Sequence, residues 1–359
     1  MTVSKKNLSV PGRGAGLNPK NRFERLTVEP FEDDEQVSGS SGHQSSIATS
    51  FYLDNSKTII ACNDSPDIIY NFSVNPYRGC EHGCIYCYAR PYHEYLGFSS
   101  GLDFETKILV KMDAPILLEQ ELLSKSWKPE PIALSGATDC YQPIERKLEL
   151  TRKCLEVFLR FKNPIMIITK NAQLLRDLDL LQELASMQLV RVTLSISTLK
   201  PELARILEPR TSAPYKRLEA IAKLKEAGIP TGILVSPVIP GLTDEEIPSI
   251  LSEAAKCNVD YADHTLIRLP LAVKELFVDW LQRQMPDSAS KIIGRMKQIH
   301  GGKIDESRFG LRMTGEGKIS EMLHQFFEIS RKKCGINNRT IPLRSDLFTR
   351  GEPTQGDLF

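Results

Sequence analysis

Apolar residues in the middle of this chain fall into short, β-branched runs separated by longer stretches with the three-to-four-residue spacing of amphipathic helices. Runs at 68–74, 132–135, 165–169, 190–196, 231–235 and 265–269 lack the alternation of a half-exposed sheet and predict strands covered on both faces. Helical spacing at 86–95, 148–161, 174–187, 214–227, 245–257 and 271–284 lies between or after them. Gly228 stands where a glycine cap ends a helix. A further short strand and helix fit 107–123. This alternation predicts an α/β protein whose parallel strands curve into a partial (β/α)6 TIM-type barrel. No internal repeat points to a solenoid instead.

The flanks read differently. Residues 1–55 are rich in Gly, Ser, Asn and charge and predict an irregular or disordered N-terminal segment. The barrel is expected over 56–285, a helical and basic extension over 286–340, and a flexible tail over 341–359. The formal net charge is only +1, yet residues 291–350 hold thirteen Lys and Arg against six Asp and Glu. Such a surplus suits a polyanion such as DNA or RNA, or equally an ordinary solvated helix face. There is no apolar signal segment and no apolar run of membrane-spanning length. Eight unevenly spaced cysteines do not make a disulfide framework. The expectation is a cytoplasmic protein with no membrane contact.

The densest chemistry lies in Asn75-Pro-Tyr-Arg-Gly-Cys80-Glu-His-Gly-Cys84-Ile-Tyr-Cys87-Tyr-Ala-Arg-Pro91. The thiolates of Cys80, Cys84 and Cys87 can hold three irons of a cubic [4Fe–4S] cluster, leaving the fourth iron open to a cofactor or substrate. Gly79 and Gly83 let the backbone wrap closely. The alternative is a structural zinc site with His82 or His93 as fourth ligand, although the chain has no second paired cluster.

This segment resembles the radical S-adenosylmethionine (SAM) superfamily. In that family the open iron chelates the amino and carboxylate groups of SAM, and an electron from the cluster splits SAM to a 5′-deoxyadenosyl radical. The resemblance implies a [4Fe–4S] cluster, SAM and an electron donor for this chain. Polar residues beyond the predicted strand ends then acquire roles, since barrel chemistry collects there. Thr138 and Asp139 would accept from the SAM ammonium, and Lys170 would meet its carboxylate. Ser195 and Ser197 would bind the ribose hydroxyls, and Tyr86 or Tyr88 would pack beside the adenine. Read as residues alone, the serines are equally strand hydroxyls bonded to backbone, and Asp139 a turn residue.

Within the superfamily the chain resembles the spore photoproduct lyase-like branch, through Asn63-Asp-Ser-Pro-Asp67, the cysteine segment, Ser135-Gly-Ala-Thr-Asp139, Ile168-Thr-Lys170 and Leu207-Glu-Pro-Arg210. That branch implies DNA repair or base modification by lyase-type chemistry. The lyase carries a hydrogen-donating cysteine just before its Ser-Asp pair; here Gly136 and Ala137 stand there and Cys140 follows Asp139. Cys140 is therefore a candidate displaced donor, or a small buried residue. Tyr141, Gln142 and Glu145 are candidates to contact substrate or relay hydrogen, unless Gln-Pro-Ile-Glu145 simply starts the next helix; Arg210 and Arg217 are candidates for a phosphate or carboxylate, or Arg210 pairs with Glu208 on the surface. The last five residues, Gln-Gly-Asp-Leu-Phe at 355–359, resemble the peptide by which bacterial repair proteins grip the sliding clamp. A radical SAM enzyme for a peptide or metabolite, and a non-catalytic iron–sulfur or zinc protein, are the competing readings.

Overall fold

The computed structural model describes residues 10–23, 47–337 and 341–350. The clamp-like peptide at 355–359 lies outside them. Seven strands form the main sheet in the order β10-β9-β8-β7-β6-β3-β2. These are β2 (Ile60–Cys62), β3 (Phe72–Val74), β6 (Ile132–Leu134), β7 (Ile165–Thr169), β8 (Val190–Ser195), β9 (Thr231–Val238) and β10 (Tyr261–Leu266). All neighbours pair in parallel except β2, which lies antiparallel on β3. Six parallel strands thus make the open barrel that the alternation predicts. The strand interiors are almost wholly apolar and buried: Ile132, Leu134, Ile165, Ile167, Val192, Leu194 and Ile233 expose no surface. Both faces are covered, which is why no polar alternation marked them in the sequence.

Helices α4 (Leu150–Phe161), α5 (Leu178–Ser186), α7 (Pro214–Glu226) and α8 (Ile247–Lys256) carry the outer layer. The Gly228 prediction holds: its φ is +74°, and its N–H closes the α7 end on the Lys225 carbonyl at 3.0 Å. Earlier in the chain, α1 (Leu102–Thr106) and α2 (Ala114–Leu123) flank β5 (Lys107–Val110), and α3 (Glu145–Leu148) and α6 (Pro201–Leu207) fill the βα loops. Beyond the barrel run α9 (Ala272–Gln284), α10 (Pro286–Ile299) and α11 (Lys318–Lys333).

Several elements differ from the sequence expectation. The last strand begins at Tyr261 rather than 265, because its polar residues sit at the sheet edge beneath α11, where His264 stacks on Phe327 at 4.0 Å. The helix expected over 86–95 is a shorter 3-10 turn, Arg90–Leu96, since residues 79–89 are spent coiling round the cysteines. Strand β1 (Ser50–Leu53) pairs with β5, which in turn pairs with β4 (Tyr77–Arg78), in a small second sheet. The tail expected to be flexible is tied down over 341–350: Thr349 N donates to the Phe161 carbonyl at 3.0 Å and Phe348 lies 6.3 Å from the Phe161 ring.

The N-terminal expectation of an irregular segment meets a specific arrangement at 10–23. This stretch has no helix or strand, yet Ala15 is 1% exposed. Gly14 N and Ala15 N donate to the Glu105 carboxylate at 3.0 and 2.9 Å. Arg90 donates to the same carboxylate at 2.5 Å and to the carbonyls of Gly83 and Cys84 at 3.2 and 2.9 Å. Residues 10–23 therefore strap the cysteine loop from outside. A Cβ on Gly14 would sit 2.0 Å from the Gly83 carbonyl oxygen, so only glycine permits this approach. Gly14→Val is expected to cost about 1–3 kcal/mol through overpacking. Urea unfolding measures that loss, and limited proteolysis should show faster cleavage within 10–23.

Candidate active site

The cysteine loop follows β3 and β4, above the end of the parallel sheet. Cys80 and Cys84 are buried and Cys87 is half-buried, the three lying close enough to influence one another's charge. Cys80 N is held by the Phe104 carbonyl at 2.9 Å, and Cys87 N turns back on the Cys84 carbonyl at 3.1 Å. Gly79 (φ +77°) and Gly83 (φ +67°) supply the left-handed turns. Burial, then the nearby Glu208 carboxylate, pushes the Cys84 thiol well up; burial, then Cys80, pushes Cys87 to about 11. The Cys84 and Cys87 thiols, raised in this way, favour the protonated form until a cation joins them, and iron would supply that charge. The chemistry of the three cysteine donors suits a three-cysteine cluster, although among the described residues no group of three His, Cys, Asp or Glu side chains is already placed to hold a metal ion. His82 is already engaged, with Nδ1 at 3.4 Å from Asp139 and Nε2 at 3.3 Å from the Asn171 amide. His93 is packed between the rings of Phe98 and Phe104, and burial lowers its pKa to about 4.

On the same rim, at the ends of β7 and β8, the structure gathers Tyr86, Lys170, Ser195 and Ser197. Lys170 Nζ donates to Ser195 Oγ at 2.6 Å and to the Ser236 carbonyl at 3.4 Å, and stands 5.8 Å from the Tyr86 ring centre. Its direct hydrogen bonds are to neutral oxygens, with the Tyr86 ring beside it and the Glu208 carboxylate acting on it from further off, so no carboxylate is bonded to its ammonium. Ser195 Oγ and Ser197 Oγ both reach the Ser236 carbonyl, at 3.0 and 2.6 Å. Tyr86 donates its hydroxyl to Glu208, and Ser197 Oγ lies 2.7 Å from the same carboxylate oxygen.

Asp139 behaves differently from the ammonium acceptor that the resemblance implies. Its two oxygens accept from Tyr141 N (2.9 Å), Thr169 Oγ1 (2.7 Å) and Lys170 N (2.8 Å), with His82 beside them. A carboxylate has about four lone-pair positions, and these are filled. Burial opposes its charge, but His82 and the hydrogen bonds outweigh that and hold its carboxyl at about 2. Asp139 is thereby a fixed post that joins the β6 and β7 loops. Thr138 donates Oγ1 to the Tyr77 carbonyl at 3.1 Å, and its N–H and that of Ala137 point at Asn75 Oδ1. Tyr88, 41% exposed, donates to the Gly136 carbonyl and lies outside the Tyr86 group.

Cys140 and Tyr141 point the other way. Cys140 Sγ donates to the Leu134 carbonyl at 3.7 Å, beneath the end of β6 and within the apolar core. Burial raises its pKa well above the ordinary thiol value. Tyr141 donates to Asp177 at 3.1 Å, beside a buried set in which Arg176 reaches Glu145 at 2.9 Å and Tyr77 donates to the same glutamate. Both residues belong to the packing between β6, α3 and α4. Gln142 and Glu81 support the loop: Glu81 N donates to Gln142 Oε1 at 2.9 Å, and Arg210 pairs with Glu81 at 3.0 Å.

Sequence reasoning gave Glu208 no site role, only a surface pair with Arg210; the structure buries it and pairs it with Arg217, while Arg210 pairs with Glu81. Glu208 lies in the Leu207-Glu-Pro-Arg210 segment, which clasps the cysteine loop through Ile85 N to the Leu207 carbonyl (3.1 Å) and Arg210 N to the His82 carbonyl (3.2 Å). Arg217, equally buried, donates to Glu208 at 2.5 Å and to the Ser195 carbonyl at 2.8 Å. Burial works against the Glu208 charge, yet Arg217, Lys170, Tyr86 and Ser197 hold its carboxyl at about 2. The available signal was a Glu and an Arg nine residues apart across a Pro, too common a pattern to single out.

Removing either partner of this buried pair is expected to cost about 3–5 kcal/mol. Because the folded value of about 2 lies below the ordinary 4.5, the stabilisation is complete above about pH 4.5 and fades as pH falls toward 2. The stability gap between the natural chain and Glu208→Gln should accordingly shrink between pH 6 and pH 3, as urea unfolding at the two values would show.

Comparison with known proteins places this geometry. The Radical SAM superfamily model matches residues 74–254, half of the chain, from the last residue of β3 into α8. An uncharacterized protein of Mycobacterium tuberculosis is 36% identical over 224 residues, covering 62% of this chain. The chain spans 66% of that relative's length. The spore photoproduct lyase of Clostridium acetobutylicum is 27% identical over 170 residues, 47% of this chain and 46% of the lyase. In fold, the chain resembles a spore photoproduct lyase variant solved with bound AdoMet and dinucleoside spore photoproduct, with a TM-score of 0.55 at 16% identity over 79% of this chain and 78% of the other. With its three-cysteine loop set over a six-stranded parallel arc, the chain belongs to the radical SAM superfamily.

Proposed function

We propose that this protein uses a [4Fe–4S] cluster on Cys80, Cys84 and Cys87 to cleave SAM reductively and acts on nucleic acid, as a repair lyase or base-modifying enzyme. The observation that carries the radical chemistry is the shared rim: the three thiols, Tyr86, Lys170, Ser195 and Ser197 meet at one end of the parallel strands. When bound, the cluster would deliver one electron from an external donor to SAM, releasing methionine and a 5′-deoxyadenosyl radical able to take hydrogen from a substrate.

The chain's own residues would position the reactants. Lys170 offers its ammonium to the SAM carboxylate, and its hydrogen bond to Ser195 fixes the direction of approach. Ser195 and Ser197 present hydroxyl oxygens to a ribose, while the Tyr86 ring provides a flat apolar wall. Glu208 and Arg217 hold Tyr86, Ser197 and the backbone of Ser195 in register, so that little reorganisation is left at binding. The strap at 10–23 and the buried Arg90 close the outer side of the loop against water.

Nucleic acid is supported as substrate by the dinucleoside bound in the lyase structure of the same fold and by the basic surplus of residues 291–350. Residues 355–359, in the same reading, would tether the enzyme to a sliding clamp. Among the described residues no helix is long and apolar enough to cross a membrane.

Anaerobic reconstitution with iron and sulfide, then dithionite and SAM, should yield 5′-deoxyadenosine by chromatography. Cys84→Ala should abolish it together with the iron content; product formed without that cysteine overturns the assignment. Lys170→Ala should raise the SAM concentration needed for half-maximal cleavage about tenfold or more, the worth of one charge-assisted hydrogen bond.

A further inference from the structure

Most buried or half-buried arginines near the rim have an anionic partner: Arg90 has Glu105, Arg217 has Glu208, Arg210 has Glu81 and Arg312 has Asp67. Arg268 differs. Its Nε is buried with no hydrogen-bond partner, and among the described residues no carboxylate stands within ion-pair distance. Burial and the neighbouring Arg312 lower its pKa, outweighing the Asp305 carboxylate, which acts from beyond ion-pair distance and accepts from Leu269 N, so an incoming anion would relieve both penalties. Arg268 follows β10, at the end of the strands where the cofactor rim lies.

Its ring contact reaches across the sheet. The guanidinium stands 5.9 Å from the Tyr88 ring centre, and Tyr88 donates its hydroxyl to the Gly136 carbonyl beyond β6. Strands β10 and β6 are separated in the sheet by β9, β8 and β7, so Tyr88 bridges opposite walls. Tyr92, near both residues, is 55% exposed and Tyr88 41% exposed. Beside the cation, then, two aromatic rings meet solvent.

We propose that Arg268, Tyr88 and Tyr92 form a phosphodiester-and-base subsite that seats a single nucleic-acid strand across the barrel mouth. The assignment rests on the nucleic-acid reading above and names where that substrate is held. A guanidinium suits phosphate in geometry and charge, and exposed rings stack on unpaired bases of any sequence. A duplex keeps its bases stacked away from such rings, so an unpaired or flipped strand is the form that fits. Because Arg268 and the cofactor rim share the C-terminal ends of the strands, a nucleic-acid strand held here would approach that rim.

Binding of a short fluorescently labelled single-stranded oligonucleotide to the anaerobic, cluster-loaded protein tests this, by anisotropy over a series of salt concentrations. Arg268→Gln is expected to weaken binding about tenfold, the worth of a charged hydrogen bond. Its slope of log affinity against log salt should fall by about 0.7, one phosphate contact on a single strand. Arg268→Lys should keep the slope while binding more weakly, and Tyr92→Leu should weaken binding with the slope unchanged. Lys153→Gln, at an exposed position on the outer helix α4 and outside the basic stretch 291–350, controls for general charge and should bind like the natural chain. Iron content and near-ultraviolet circular dichroism confirm that each variant is folded and loaded. If Arg268→Gln binds like the natural chain, or loses no more than Lys153→Gln, the subsite is overturned while the nucleic-acid reading stands. If the natural chain binds neither DNA nor RNA strands, that reading falls and the subsite with it.

Discussion

The Glu105 carboxylate is the constraint on which the rest of the site depends. It is wholly buried and accepts from Arg90, Gly14 N and Ala15 N. Such a group is tolerable in the interior only when its charge is matched and its lone pairs are filled. Arg90 matches it and, from the same guanidinium, binds the carbonyls of Gly83, Cys84 and Gly101. One ion pair therefore shapes the turn between the first and second cysteines and draws the N-terminal strap over it. The cysteine loop, which has little regular structure of its own, gains its rigidity from these charges.

A second buried pair performs the same service on the inner side. Glu208 and Arg217 organise Tyr86, Ser197 and the backbone of Ser195, and their segment clasps the loop through Leu207 and Arg210. Asp139, filled by four neighbours, ties the β6 loop to the β7 loop and to His82. The rim is thus built from carboxylates that are satisfied internally. Lys170 and Arg268 are the contrasting cations, touching only neutral oxygens or aromatic rings among the described residues. Carboxylates whose charge is matched by direct ion pairs or filled by hydrogen bonds hold the scaffold, while Lys170 and Arg268 have no carboxylate bonded to them among the described residues.

The C-terminal extension completes the barrel. Leu266 N donates to the Met313 carbonyl at 3.0 Å, and Arg312 and Gly310 both bind Asp67 in the connection between β2 and β3. Residues 310–313 consequently bridge the open side between the last strand and the first. This leaves the mouth at the strand ends as the approach to the rim. Asp67 was legible as part of a motif, but its partners lie more than two hundred residues later in the chain.

The sequence by itself determined the parallel arc and the three-cysteine loop. Both depend on local signals: continuous β-branched runs for strands covered on two faces, and metal-ligand spacing within eight residues. It also brought Lys170, Ser195 and Ser197 to one rim, because strand ends in such a barrel converge whatever the details of packing. Only the tertiary structure decided which polar groups remain free. Asp139 and Lys170 look equally available in sequence, yet the first is filled and the second is open. Cys140 follows Asp139 directly but turns beneath β6 into the core. The strap at 10–23 reads as irregular chain, since its partners Gly83 and Glu105 are about seventy to ninety residues away. Local spacing fixes what a side chain can do, and long-range burial and charge pairing fix whether it is left free to do it.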